Sequence, residues 1–335
     1  MRRCKRLTVC EYSSLSQEGQ DIGITDAYQG VEFLISDTEI NGPFNLNETV
    51  LSAQTSEPEW TVEGQKFTDV EELDGAPVKY SLCQEGNTDR YVVNVKFITT
   101  SSINETERRL RAHIERVLGL SDDLNCFYKK FHSEYEPLRS TFRMLRGLRL
   151  MRGTNLYESL VCSILSQNNS AKRWNQIARL LMKHYGRHMR LPDGSSHFLF
   201  PSPSKIAKLT ARELRAKTSI GYRAECVVEI SRMIANDELN LEDFRKYSYE
   251  EALEILLQFY GVGPKVADCF LLYGVGKMDA APVDVWMHRI VTELYFKGRN
   301  VSRVKTASFL RERFGDWAGY AQLYLFDYAR RRKLG

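Results

Sequence analysis

The segment Tyr249-Glu-Glu-Ala-Leu-Glu-Ile-Leu-Leu-Gln-Phe-Tyr-Gly-Val-Gly-Pro-Lys-Val-Ala-Asp-Cys269 decides how this chain is read. Ala252, Leu253, Ile255 and Leu256 recur at helical spacing, and the run ends in Phe259-Tyr-Gly-Val-Gly263. Two glycines permit a tight hairpin at backbone positions that a side chain would block. Pro264 suits the first turn of a new helix, where its missing N–H is no loss. N–H groups exposed at such a helix start favour an anion, and a DNA phosphate is a natural one. G-x-x-x-x-G-K-[ST] is absent, and Val266 occupies the third glycine position of a dinucleotide fingerprint, so neither a P-loop nor a nucleotide fold is indicated.

Lys265 is a cation at a helix N-terminus, where the macrodipole disfavours its charge and makes the amine a potential nucleophile. From this segment alone, a lysine that reaches a phosphate fits equally well. Nineteen residues on, Ala280-Ala-Pro-Val-Asp284 leads into an amphipathic run to residue 296, so Asp284 stands at or near an N-cap. Capping suffices to explain an aspartate there. A carboxylate that returns after a helix and a short loop to a hairpin holding a lysine also makes a nucleophile with an electrostatic partner.

Outward from the hairpin, apolar residues keep helical spacing from residue 105 to the end. The spacing predicts helices over 105–118, 121–131, 136–146, 155–167, 171–186, 205–209, 211–217, 222–235, 249–259, 264–275, 284–296, 302–313 and 317–331. The Pro/Ser/Gly stretch Leu191–Ser204 is expected to be a loop dividing the helical part into two lobes. Before residue 100, alternation such as Tyr91-Val-Val-Asn-Val-Lys-Phe97 after the turn signal Glu85-Gly-Asn-Thr-Asp89 predicts a mostly antiparallel sheet. The expected fold class is α+β: an N-terminal extension over 1–28, a twisted antiparallel β-sheet domain over 29–103, and an all-α, two-lobed helix-hairpin-helix domain over 104–335.

The 335 residues, 43% hydrophobic and 27% charged, with mean hydropathy −0.39, exclude fibrous and disordered classes. No run of some 18 apolar residues occurs, and the basic start lacks the apolar stretch of a signal peptide, so an intracellular protein without a membrane partner is expected. The net charge of +4 divides into +4 over residues 1–10, −13 over 11–100 and +13 over 101–335, which places a polyanion-binding surface in the helical part. Seven scattered cysteines without a C-x-x-C pair argue against disulfides, structural zinc and an iron–sulfur cluster. His184 and His188 are four apart, but Gly186 lies between them and no flanking glutamate completes H-E-x-x-H, so no metal is expected.

Gly261-Val-Gly-Pro-Lys-Val-Ala-Asp-Cys269 followed by Pro282-Val-Asp284 resembles the helix-hairpin-helix DNA glycosylases, and within them the 8-oxoguanine DNA glycosylase family. Leu145-Arg-Gly-Leu-Arg-Leu150, Ser163-Ile-Leu-Ser-Gln-Asn-Asn169, Gly221-Tyr-Arg-Ala224 and Trp317-Ala-Gly-Tyr-Ala-Gln-Leu-Tyr-Leu-Phe326 agree in order, from about 105 to 330. Phe44-Asn-Leu and Ser52-Ala-Gln54 carry the resemblance in the first domain. It implies a bifunctional glycosylase/AP lyase acting on damaged double-stranded DNA, in which a flipped-out base is excised, Lys265 attacks C1′ and the Schiff base allows strand cleavage by β-elimination. Asp284 would stabilise the positive charge developing on the sugar. Cys269, Gln322, Phe326, Pro282 and Ala53 would line the base pocket. Asn168 and Arg173 would fill the vacated space and hold the orphan cytosine, Tyr222 and Arg223 would supply the wedge and its neighbour, and Gly261, Gly263, Val266 and His288 would meet the DNA backbone.

Three residues depart from the family pattern. Ala53 stands where a glycine carbonyl usually reads the N7 hydrogen of 8-oxoguanine, Trp286 replaces a histidine of some members, and Tyr260 replaces the hairpin's usual proline. The resemblance implies a monomer with no cofactor, apart from a monovalent or divalent cation between hairpin carbonyls and a phosphate. The expected location is the cytoplasm or nucleoid of a prokaryote, or a eukaryotic nucleus. Two other functions suit the same hairpin: excision of an alkylated purine, whose enzymes keep the aspartate but typically lack the lysine, and DNA binding without chemistry, which leaves the Lys265 and Asp284 pair unexplained. The iron–sulfur branch needs four clustered cysteines after the hairpin, and none occurs beyond Cys269.

Overall fold

A computed structural model of the chain describes residues 29–52, 54, 60–131 and 136–331. The extension over 1–28 and Ala53 lie outside the described residues. Strands β1 (Gln29–Ser36), β2 (Thr61–Glu63), β3 (Lys66–Leu73), β4 (Ala76–Gly86) and β5 (Tyr91–Thr99) form an antiparallel sheet in the order β1-β5-β4-β3-β2, and the short helix α1 (Leu46–Val50) lies between β1 and β2. Strict alternation buries Tyr91, Val93, Val95 and Phe97 of β5 beside Val78, Tyr80 and Leu82 of β4, with Tyr80 opposite Phe97 and Leu82 opposite Val95.

A sheet with one apolar face needs a cover. Helix α2 (Ile103–Val117) supplies it with Leu110, Ile114 and Val117, and the same core takes in Leu118, Leu120 and Met151. The secondary structure therefore changes near residue 103, while the core of the sheet unit continues past it.

The helical part continues with α3 (Leu124–Lys130), α4 (Glu136–Met144), α5 (Leu156–Leu165), α6 (Ala171–Tyr185), α7 (Pro203–Ala207), α8 (Ala211–Thr218), α9 (Arg223–Ala235), α10 (Tyr249–Leu257), α11 (Pro264–Cys269), α12 (Val285–Phe296), α13 (Arg303–Phe314) and α14 (Ala318–Arg331). Local chemistry sets many of the starts. Asn155, Ser170, Ser202 and Ser302 accept from backbone N–H groups of the first turn, and Thr210 with Glu213 and Ser248 with Glu251 form reciprocal capping boxes.

The division into lobes differs from the sequence expectation. Residues 188–198 fold as a small hairpin of β6 (His188–Arg190) and β7 (Ser196–Phe198), which turns the chain back so that α7 packs on α9 within the same lobe as α5 and α6. The lobes part instead after α11: α5 to α11 form one, while α12 to α14 pack with α4 in the other. His184 and His188 fall in different elements, because α6 ends at Tyr185.

Arg149 joins these units. Its side chain is fully buried, and its guanidinium donates to the carbonyls of Gly119 (2.8 Å), Asp122 (2.9 Å) and Asn41 (3.0 Å). Its own carbonyl accepts from Gln54 Nε2 at 2.7 Å, and its N–H reaches Thr49 Oγ1 at 3.1 Å. One side chain thus ties the loop after β1, the turn after α2 and the strand-like segment 148–152 together. Replacing it with leucine orphans several buried carbonyls, and we expect Arg149→Leu to cost about 3–5 kcal/mol, read as a lowered denaturant midpoint. A loss under 1 kcal/mol would show that the carbonyls find other donors.

The hairpin helices are joined by a second buried polar contact, in which Tyr249 Oη of α10 donates to Asp268 Oδ1 of α11 at 2.7 Å. Burial pushes the Asp268 carboxyl up to about 6, against the opposing effect of the Tyr249 hydrogen bond and Arg311. The folded protein therefore holds this proton more tightly than the unfolded chain, whose aspartate titrates near 3.9. Its contribution to stability is full below about 4 and is lost as pH rises to about 6. Unfolding midpoints of the wild type relative to Asp268→Asn should fall across that window and level off above it. Parallel curves from pH 4 to 7 would remove Asp268 as the titrating group.

Candidate active site

Lys265 and Asp284 stand at the N-termini of two different helices, one in each lobe. Lys265 occupies the first turn of α11, where Gly263 is the N-cap and Pro264 the first helical residue. It is half-buried, and Nζ donates to Ser166 Oγ at 2.7 Å. Asp284 is the N-cap of α12, and its Oδ1 accepts from Met287 N at 2.8 Å. The capping reading is correct for Asp284, and a cap uses only one of the carboxylate's lone pairs.

Cys269, buried one turn beyond Lys265, registers both groups. Burial pushes its thiol up, the charge of Lys265 and a hydrogen bond from it act in the opposite direction, and Asp284 adds to the rise. Lys265, Asp268 and Asp284 thus all act on this one buried thiol. Pro282, also buried, sets the approach of the chain to Asp284.

The base-pocket residues of α14 face the same place. Gln322 is buried and Phe326, four residues on, is half-buried. Tyr273 Oη donates to Gln322 Oε1 at 3.4 Å, which leaves the amide's N–H₂ as the available donor. Burial, Cys269 and Asp284 all hold the Tyr273 phenol in its protonated form. The sequence reading overlooked Tyr273, although Lys265, Cys269 and Tyr273 are spaced four apart; the helix runs through a π-turn over Phe270–Val275 before reaching it.

Two further tyrosines fix α14. Tyr320 Oη donates to Asp122 Oδ2 at 2.7 Å, and Tyr324 Oη donates to the Leu148 carbonyl at 2.8 Å. Ala53 lies outside the described residues, but its neighbour Gln54 is fastened at both ends of its amide, to the Arg149 carbonyl and, at 3.1 Å, by Met151 N.

A second group of residues gathers at the end of α5, beside the hairpin. Asn168 is exposed with φ +51, in the left-handed region that asparagine tolerates. Its Nδ2 donates to Tyr222 Oη at 3.1 Å, and Tyr222 Oη donates to Gln167 Oε1 at 3.0 Å. The side chain of Tyr222 is 55% exposed and Arg173 is exposed. Gln167, Asn168 and Tyr222, with Tyr260 and Gly261, border a cavity of about 380 Å³.

Three residues expected at the DNA make their contacts within the protein. Arg223 is buried, with its guanidinium donating to the carbonyls of Gln167 and Ile220 and lying 4.4 Å from the Tyr222 ring centre. Val266 packs its side chain into the core, and its N–H bonds to the Gly263 carbonyl at 3.0 Å, whereas Gly261 is exposed and Gly263 half-buried. His288 is half-buried, with Nδ1 paired with Thr306 Oγ1 at 2.9 Å. Exposed aromatics that the reading placed only as family departures, Tyr260 (70%) and Trp286 (44%), flank the site on either side.

A large cleft, about 2920 Å³, lies elsewhere, between the sheet and the α6 and β6–β7 region. Carboxylates such as Asp69, Glu71, Glu72 and Asp193 outnumber basic side chains along it, which disfavours a phosphate backbone there. Among the described residues no three His, Cys, Asp or Glu side chains are grouped to hold a metal ion, and no helix is long and apolar enough to cross a membrane.

Comparison with known proteins places this geometry. Residues 161–315 match the HhH-GPD superfamily of base excision DNA repair proteins. The "Probable N-glycosylase/DNA lyase" of Methanothermobacter thermautotrophicus is 33% identical over 311 residues, covering 88% of this chain and 96% of that protein. The structure of MBOgg1 in complex with a low-affinity DNA ligand superposes with a TM-score of 0.74 at 28% identity, covering 93% of this chain and 99% of the other. The Clostridium acetobutylicum 8-oxoguanine glycosylase/lyase, bound to duplex DNA with cytosine opposite 8-oxoG, gives 0.73 at 25% identity, covering 90% and 98%. A lysine and an aspartate at two facing helix starts, on a fold shared along nearly its whole length with such enzymes, put the chain in the HhH-GPD superfamily of base excision DNA repair proteins and, within it, in the 8-oxoguanine DNA glycosylase/AP lyase family.

Proposed function

We propose that this protein is a bifunctional DNA glycosylase/AP lyase that excises 8-oxoguanine from duplex DNA, with Lys265 as nucleophile and Asp284 as its electrostatic partner. The observation that carries the reading is the placement of Lys265 in the first turn of α11, its Nζ donating to Ser166 Oγ at 2.7 Å, together with Asp284 at the N-cap of α12. Related proteins described as N-glycosylase/DNA lyases and as an 8-oxoguanine glycosylase/lyase support the substrate. Neutral Lys265 forms a bond to C1′ as the glycosidic bond breaks and the base leaves with its electron pair. The amine then loses a proton, and its lone pair opens the C1′–O4′ bond, with O4′ taking a proton, to give the Schiff base. Removal of a C2′ proton then expels the 3′ phosphate, and water releases the lysine. The Asp284 carboxylate offsets the positive charge that develops on the sugar as the bond lengthens.

The duplex hides the sugar–base bond, so the lesion must leave the stack. Gln322 offers an amide to the base edge and Phe326 an aromatic face, while Cys269 and Pro282 close the pocket and Ala53 contributes its backbone. Asn168, Arg173, Tyr222 and Arg223 are assigned to the gap and the orphan base. Because Arg223 and Asn168 are hydrogen-bonded within the protein, duplex binding exchanges those bonds for DNA contacts. A cation shared by the hairpin and a phosphate fits this reading, since the Gly261 carbonyl accepts from Gln167 Nε2 at 3.3 Å and keeps a second lone pair. All of these groups belong to one chain, which supports action as a monomer.

Two experiments test the assignment. Borohydride should trap a protein–DNA adduct that Lys265→Gln abolishes with lesion binding intact. Asp284→Asn, which keeps an oxygen for the Met287 cap, should slow excision on the order of 10²-fold with little change in melting temperature. Undiminished trapping by Lys265→Gln, or unfolding of Asp284→Asn with normal turnover, would overturn these roles. In the pocket, Phe326→Ala should weaken binding of every flipped base by ~1–3 kcal/mol. Gln322→Ala should instead reduce the preference for 8-oxoguanine over other lesions, and unaltered selectivity would place the pocket elsewhere.

A further inference from the structure

We infer that Ser166 is a positioning residue for the nucleophile, holding the Lys265 amine so that its reactive lone pair is turned away from Ser166. The inference rests on the proposed role of Lys265. Ser166 closes α5 as its C-cap, two residues before Asn168, and faces the start of α11. Its hydroxyl has one hydrogen, which is spent on the Ser163 carbonyl at 2.7 Å. Ser163 in turn donates to the Ser159 carbonyl at 2.7 Å, and Ser166 N–H is fixed on the Cys162 carbonyl at 2.9 Å. The Ser166 oxygen is thus held from both sides and offers Lys265 only lone pairs.

This polarity has a chemical consequence. A neutral amine can be a nucleophile only through its single lone pair, and an amine that donates one N–H to Ser166 carries that pair on the side turned away from Ser166. Cys269 lies within hydrogen-bond reach of the same Nζ, and Asp284 acts on that thiol too, so the lone pair is left toward the side that Cys269 and Asp284 occupy. The end of α5 also presents a negative pole beside Lys265 while the start of α11 presents a positive one. The lysine bridges two helix ends of opposite sign, and the unfavourable field expected from α11 alone is offset. No motif signals the partnership, because Ser166 and Lys265 are 99 residues apart.

The test measures adduct formation apart from binding. Full-length wild type, Ser166→Ala, Ser166→Thr and Lys265→Gln are compared for the borohydride trapping rate on a duplex with a natural abasic site, for affinity to a duplex with an uncleavable tetrahydrofuran site, and for melting temperature. We expect Ser166→Ala to trap about tenfold more slowly, with affinity within about twofold of wild type, because a misdirected nucleophile loses rate and not binding. Threonine keeps the hydroxyl and its bond to the preceding turn, and should return trapping to within about threefold. Should the alanine variant not fold, Ser166→Cys, nearly isosteric but a much weaker acceptor, is expected to show the same loss. Wild-type trapping by the alanine or cysteine variant, or an equal loss in the threonine variant, would overturn the role of Ser166. Lys265→Gln separates the two conclusions: if it abolishes trapping while Ser166→Ala changes nothing, the nucleophile stands and its positioning residue falls.

Discussion

The architecture depends on one buried guanidinium. Arg149 has no water to solvate it, so its cost in the interior is met by backbone carbonyls from the loop after β1, the turn after α2 and the approach to α3. Those carbonyls can satisfy it only if sheet, α2 and the 148–152 segment hold one arrangement. The same segment receives the hydroxyls of Tyr320 and Tyr324 from α14 and grips the amide of Gln54. Helix α14 and Gln54 are therefore registered against a single stretch of backbone. The block Leu145-Arg-Gly-Leu-Arg-Leu150, which carried part of the family resemblance, works through structure and not through contact with substrate.

The proposed catalytic pair is built from helix ends. Asp284 caps α12 and Lys265 opens α11, so each is fixed by backbone that cannot drift without breaking its helix. A carboxylate at an N-terminus is favoured by the helix field, whereas an ammonium there is disfavoured. The C-terminus of α5 compensates for the second, which helps explain how a lysine is tolerated at that position. Because α11 and α12 belong to different lobes, the pair forms only where the lobes meet, which is also where an extruded nucleotide can enter.

The face that would meet the duplex is held together by its own hydrogen bonds. Asn168, Tyr222, Gln167 and Arg223 are linked around a cavity of about 380 Å³, with the backbone of Asn168 in the left-handed region. Apart from the guanidinium of Arg223, neutral groups make these bonds, and such bonds can be exchanged for contacts with bases and phosphates. The acidic cleft on the sheet side complements this arrangement by leaving the basic helical surface as the place for a polyanion.

Local patterning determined much of this protein. Alternation specified β4 and β5, caps and apolar spacing specified nearly every helix within a few residues, and the hairpin glycines with Pro264, Lys265 and Asp284 marked the site, because each of these signals is written in neighbouring residues. The unmarked features depend on residues far apart in the chain. Periodicity carries no record of which helices share a lobe, so the division fell after α11 and not at 191–204, where a short hairpin returns the chain to α9. Arg149 reads as one more cation, Val266 and Arg223 as residues beside a DNA motif, and Ser166 and Tyr273 as unremarkable polar positions. Only packing decided that the first is a buried tie, that the next two turn inward, and that the last two touch Lys265 and Gln322, since burial and hydrogen-bond partners are set by chain segments up to a hundred residues away.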